Sequence, residues 1–153
     1  MSSNTAAKTP ANTTTKTRMM VQIAMLTAVA EVLMLFDFPL PFAPSFYKID
    51  LSEVPILIGC FAMGPAAGII IEAMKILLNF IISGTVTAGV GELANFAIGC
   101  SMVLPAGLIY RYHKTRKNAV LGMAAGTLVM AAIGGLLNAF VLLPAYAALF
   151  GGM

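Results

Sequence analysis

Apolar residues arrive in five runs along the chain, and each break between runs is short and rich in turn-forming or charged residues. Met19 to Phe36 is the first run, long enough to cross a hydrocarbon core of ~30 Å as a helix. Leu51 to Met63 is shorter and stops at Gly64-Pro65, a turn dipeptide. Pro65 to Ile82 follows, with Pro65 suited to the first helical position. Glu92 to Tyr110 and Ala119 to Leu143 are the fourth and fifth runs, the last stopping at an expected turn around Pro144. The pattern predicts an all-α bundle of five spans. The polar stretch 1–18 reads as a flexible tail.

Composition turns that pattern into a class. The 153 residues are 59% hydrophobic and 10% charged, with a mean hydropathy of +0.92. Soluble domains carry about 25% charged residues, and a chain this small could not hide so much apolar surface inside itself. The chain is therefore expected to be an integral membrane protein with the lipid bilayer as its solvent. Cys60 and Cys100 sit in apolar runs without metal-ligand or disulfide spacing, and His113 lies in a basic loop. No phosphate-binding loop, nucleophile–base pair or metal cluster is recognisable, which argues against an enzyme and against a bound metal.

Charge sets the orientation. Lys8, Lys16 and Arg18 precede the first run, and Arg111, Lys114, Arg116 and Lys117 cluster in RYHKTRK. With a cytoplasmic N-terminus, four crossings return the chain to the cytoplasmic side just before that loop, in agreement with the positive-inside rule. The same distribution is topological rather than a nucleic-acid patch. A fifth crossing leaves the C-terminus outside, so either a sixth helix is expected to follow these residues, the preferred reading, or the tail re-enters the membrane.

Ionisable and amide groups inside spans are costly and call for a role. Glu72, Lys75 and Asn79 share one helical face at i, i+3, i+7, as do Glu92 and Asn95. With Glu31 and Asn138, most of these groups fall in the outer half. They lie beneath FDFPLPFAPSFYKIDLSEVP, Phe36 to Pro55, where prolines and aromatics mix with charges. This outer cluster is a candidate pocket with that segment as its cover. Glu72 and Lys75 lie deeper; they either neutralise each other structurally or belong to the site. Ala24/Ala28, Gly64/Gly68 and Gly122/Gly126 have the small-xxx-small spacing that permits close helix contact in lipid.

Several motifs then stand in a fixed order: P-x-P-F-x-P-x-F-x-K-x-D from Pro39, G-P-x-A-G from Gly64, SGT…G-x-G-E-x-A-N-F through Phe96, and L-N-x-F-x-L-L-P ending at Pro144. Across residues 20–146 the sequence resembles the substrate-binding S-components of energy-coupling factor vitamin transporters, most of all the riboflavin-specific branch. The resemblance implies a six-helix bundle in the plasma membrane that captures a flavin from outside. It also implies docking through Ala24 and Ala28 on a transmembrane coupling subunit driven by two cytoplasmic ATPases, with riboflavin as cargo and no cofactor. It assigns substrate contacts to Leu40, Phe42, Pro44, Ser45, Phe46 and Lys48, and to Asn79, Glu92, Asn95 and Asn138. In the family the sixth helix shares the ring contact with the position of Asn138.

The residue types suit that cargo. An asparagine amide offers a donor and an acceptor to a ring edge of alternating carbonyls and N–H. Phe42, Phe46, Tyr47 and Phe96 could wall the ring faces. Two alternatives stand beside this reading: an S-component for another vitamin or related small molecule, and a membrane structural subunit without a ligand.

Overall fold

The structure is a computed structural model, and it describes residues 11–36, 38–39, 48–84 and 89–151. Helix α1 (Ala11–Leu35) is followed by a two-residue antiparallel ladder, β1 (Phe38–Pro39) with β2 (Lys48–Ile49). Then come α2 (Glu53–Met63), α3 (Pro65–Ser83), α4 (Val90–Tyr112), α5 (Arg116–Leu137), a π-helical turn (Asn138–Leu142) and α6 (Leu143–Phe150). Four stretches are long and apolar enough to cross a membrane: Thr13–Leu35, Pro65–Ser83, Val90–Tyr112 and Arg116–Ala145. The all-helical bundle expected from the sequence is present, and three boundaries differ from expectation.

First, α1 begins at Ala11, eight residues before Met19 and inside the stretch read as a tail. An apolar helix already nucleated extends into adjacent polar sequence at little cost, and Thr17 Oγ bonds back to the Thr13 carbonyl at 3.0 Å. Second, α2 is not a full span. Its 11 residues rise about 16 Å, roughly half of the ~30 Å core. The helix starts late because Asp50 accepts both the Ser52 backbone N–H at 2.7 Å and the Ser52 hydroxyl at 2.8 Å. That local turn competes with helix over residues 50–52.

Third, no turn occurs at Pro144. The helix passes through it by way of the π turn, in which the Leu143 N–H donates to the Asn138 carbonyl, five residues back. A proline has no N–H to give and its ring crowds the preceding turn. The wider π turn directly before it accommodates both, so α5, the π turn and α6 form one long apolar run.

Gly64 at φ 106° reverses the chain between α2 and α3. This turn and the C-terminal end of α4 lie together, since one cavity is lined by Met63, Gly64, Pro65, Gly107, Tyr110 and Arg111. Phe61 and Tyr110 stack across this end with centroids 4.7 Å apart. It is the basic end of the bundle; among the described residues no acidic side chain lines this cavity. The core joins α1, α2, α3 and α4 through Ala30, Ile56, Cys60, Ile71 and Val103. Gly122 and Gly126 seat α5 on α4, where added Cβ atoms would meet the Ala106 and Met102 carbonyls. That spacing is internal packing. Ala24 and Ala28, in contrast, are exposed on α1 beside Met20, Met25 and Val32.

Candidate functional site

The polar groups of the acidic end are arranged in two tiers. The deeper tier surrounds Lys75, which is fully buried. Its ammonium donates to Ser52 Oγ at 3.1 Å and lies 3.4 Å from Glu53 Oε1 and 3.0 Å from Glu72 Oε2. Glu72 is also fully buried. Its contact with Lys75 is an ion pair, and neither of its oxygens meets hydrogen-bond geometry with a partner among the described residues. Gly99 gives Glu72 its room, because a Cβ there would collide with the carboxylate.

This tier has a structural reason. Residues 50–52 are non-helical backbone below the outer end of α3, and such backbone is tolerated at membrane depth only when protein satisfies it. Asp50 satisfies Ser52, and Lys75 ties Ser52 to α3. The pairing of Glu72 with Lys75 was one of the two readings of the sequence. The partners Ser52 and Glu53 were not foreseen, because both read as ordinary residues at the start of an apolar run.

The outer tier lies one turn higher. Asn79 Nδ2 donates to Glu31 Oε1 at 3.4 Å, joining α3 to α1. Glu31 is 4% exposed, and its other oxygen accepts no hydrogen bond among the described residues. A buried carboxylate oxygen without a donor is uncommon in a native fold. Asn95 and Glu92 are half-buried and stand one and two turns outward of Gly99 on α4. On the outer surface between α3 and α4 at this end lies an open groove of about 360 Å³ lined by Ile76, Leu77, Phe80, Glu92, Leu93 and Phe96; Leu77, Phe80 and Leu93 are exposed, and Glu31, Asn79 and Asn95 do not line it. Its walls are apolar and aromatic, with Glu92 the charged group at its rim.

Not every sequence candidate joins this group. Asn138 opens the π turn and is exposed. Lys48 belongs to β2, with only its backbone described. Leu40, Phe42, Pro44, Ser45, Phe46 and Tyr47 lie outside the described residues. So does the tip of the segment expected to cover the pocket.

A bundle of apolar helices with buried charges gathered toward one end defines a multi-pass membrane protein with a polar site in its acidic half. Comparison with known proteins specifies it further. The family described as "ECF transporter, substrate-specific component" matches residues 18–152, and the chain belongs to that family. The Riboflavin transporter RibU of Staphylococcus aureus (strain TCH60) is 40% identical over 131 residues, covering 86% of this chain and 68% of that protein. The Riboflavin transporter FmnP of Bacillus subtilis (strain 168) is 38% identical over 132 residues, with coverages of 86% and 70%. A solved structure described as "Structure and mechanism of the S component of a bacterial ECF transporter" superposes with a TM-score of 0.77 at 40% identity, covering 86% of this chain and 77% of that one. As a transporter component, the chain is not an enzyme.

Proposed function

We propose that this chain is the riboflavin-binding S subunit of an ECF vitamin importer, with a cytoplasmic N-terminus and a site that opens at the acidic end. The observation that carries the reading is 38–40% identity to two proteins named as riboflavin transporters over more than two thirds of their length. The site supports it. Glu31 Oε2 is a buried acceptor without a donor, and ribityl hydroxyls are donors. Riboflavin presents a flat ring whose edge alternates hydrogen-bond acceptors and donors. The amides of Asn79 and Asn95 offer both donor and acceptor to its polar edge.

In this account Asn79, Glu92, Asn95 and Asn138 contact the flavin together with Leu40, Phe42, Pro44, Ser45, Phe46 and Lys48. The family is a substrate-specific component, so capture is this chain's part, and energy comes from a coupling subunit with two ATPases. Ala24 and Ala28 form the docking strip; their exposure on α1 leaves room for a partner helix. The purified protein is expected to retain a yellow ligand that mass spectrometry identifies as a flavin. Retention of a different vitamin would replace the flavin reading with that of a sister branch.

A further inference from the structure

The basic end carries a second cavity, of about 350 Å³, between the α2–α3 turn and the end of α4. Arg111 and Lys114 line it, and no acidic side chain does. Among the described residues neither cation forms a salt bridge. Both helix ends on the opposite wall contribute. The last carbonyls of α2 favour cations beside them. The first turn of α3 is capped only by Gly64, with no side-chain hydrogen bond and no acidic residue; Pro65 has no N–H and those of Ala67 and Gly68 donate to the Gly64 carbonyl, so the donor this turn offers an anion is the N–H of Ala66, which lines the cavity.

Arg111 also lines an adjoining cavity of about 400 Å³ with Leu108 and Tyr112. Leu104 and Leu108, one turn apart on α4, are 40% and 47% exposed, so an apolar strip leads from the arginine toward the middle of the span. From the end of α4 inward, Arg111 is followed by Tyr110 and then by the exposed Leu108 and Leu104, with Lys114 just beyond the helix. That order is the order of a phospholipid.

We propose that this cavity is a binding site for one anionic phospholipid, its phosphate between Arg111, Lys114 and the first turn of α3, and an acyl chain along Leu108 and Leu104. An acidic protein segment would satisfy the cations but leave the apolar strip unused. Basic pockets between membrane helices on the cytoplasmic side have the chemistry for such headgroups. Arg116 and Lys117 are also exposed yet do not line the cavity, which provides an internal control. The inference does not depend on the identity of the transported molecule.

The test is native mass spectrometry of the chain released from nanodiscs holding equal phosphatidylglycerol and phosphatidylcholine. The wild type is expected to retain one phosphatidylglycerol in at least tenfold preference. Arg111→Gln/Lys114→Gln should reduce that preference to below twofold, whereas Arg116→Gln/Lys117→Gln should leave it. Equal retention of the two lipids by the wild type overturns the site, and so does an equal loss in both double variants, which would mean diffuse attraction. If the first variant fails to fold, the wild type decides alone: phosphatidylglycerol added in detergent should raise its unfolding temperature, and phosphatidylcholine or inorganic phosphate should not. A shift produced equally by inorganic phosphate rejects a lipid site. Loss of coupling-subunit capture with unchanged lipid retention would assign the cations to a protein contact instead.

Discussion

Replacing Lys75 with methionine removes one ammonium from three partners at once: Ser52 Oγ at 3.1 Å, Glu72 Oε2 at 3.0 Å and Glu53 Oε1 at 3.4 Å. Methionine keeps most of the apolar stem, so the change is mainly electrostatic. Glu72 would remain fully buried with no cation beside it, and breaking a buried pair from one side costs about 3–5 kcal/mol. For a domain of this size each kcal/mol lowers the melting temperature by about 2–4 °C, so Lys75→Met should lower it by roughly 6–20 °C. Glu72→Gln should cost less, because Lys75 keeps Ser52 and Glu53. The double variant Lys75→Met/Glu72→Gln should recover a large part of the loss, since no full charge is then left stranded by the pair. Cys60 is 2% exposed, so a thiol-reactive fluorogenic dye reports unfolding directly in a heating ramp. A Lys75→Met shift below ~3 °C, or a double variant no better than the single one, would refute the idea that this ion pair holds α2 and the 50–52 link to α3.

Three further outcomes follow from the same geometry. Gly99→Val should destabilise the fold by about 1–3 kcal/mol, the usual cost of overpacking, because its side chain would press on the Glu72 carboxylate; the same dye assay measures it. Glu31→Gln should weaken flavin binding by roughly 10- to 100-fold, the scale of one hydrogen bond to a charged group, with little change in melting; fluorescence titration separates the two effects. Ala24→Trp or Ala28→Trp should leave flavin binding intact and abolish uptake into cells or vesicles that carry the coupling module. Loss of binding would move these alanines from the docking face to the site.

The sequence disclosed what depends on long, one-signed patterns. The apolar runs gave the helices that became α1, α3, α4 and the long α5 run, and the charge distribution separated a basic end from an acidic one. The i, i+3 spacing of Glu72 and Lys75 put them within reach of each other, as found at 3.0 Å. What stayed hidden depends on local competition and on depth. Leu51 to Met63 reads as a span because its residues are apolar, yet the Asp50–Ser52 turn starts the helix at Glu53. Pro144 reads as a stop, and only the wider hydrogen-bond ring of the π turn lets the helix continue. Gly99 was invisible as a site residue, since its role is to leave space for a side chain on another helix.

The most direct test of the central claim is a fluorescence titration of riboflavin with the purified protein. The account predicts saturable quenching of flavin fluorescence at one site per chain, weakened by Glu31→Gln and unaffected by Ala24→Trp. A folded protein that quenches neither riboflavin nor its phosphate would contradict it.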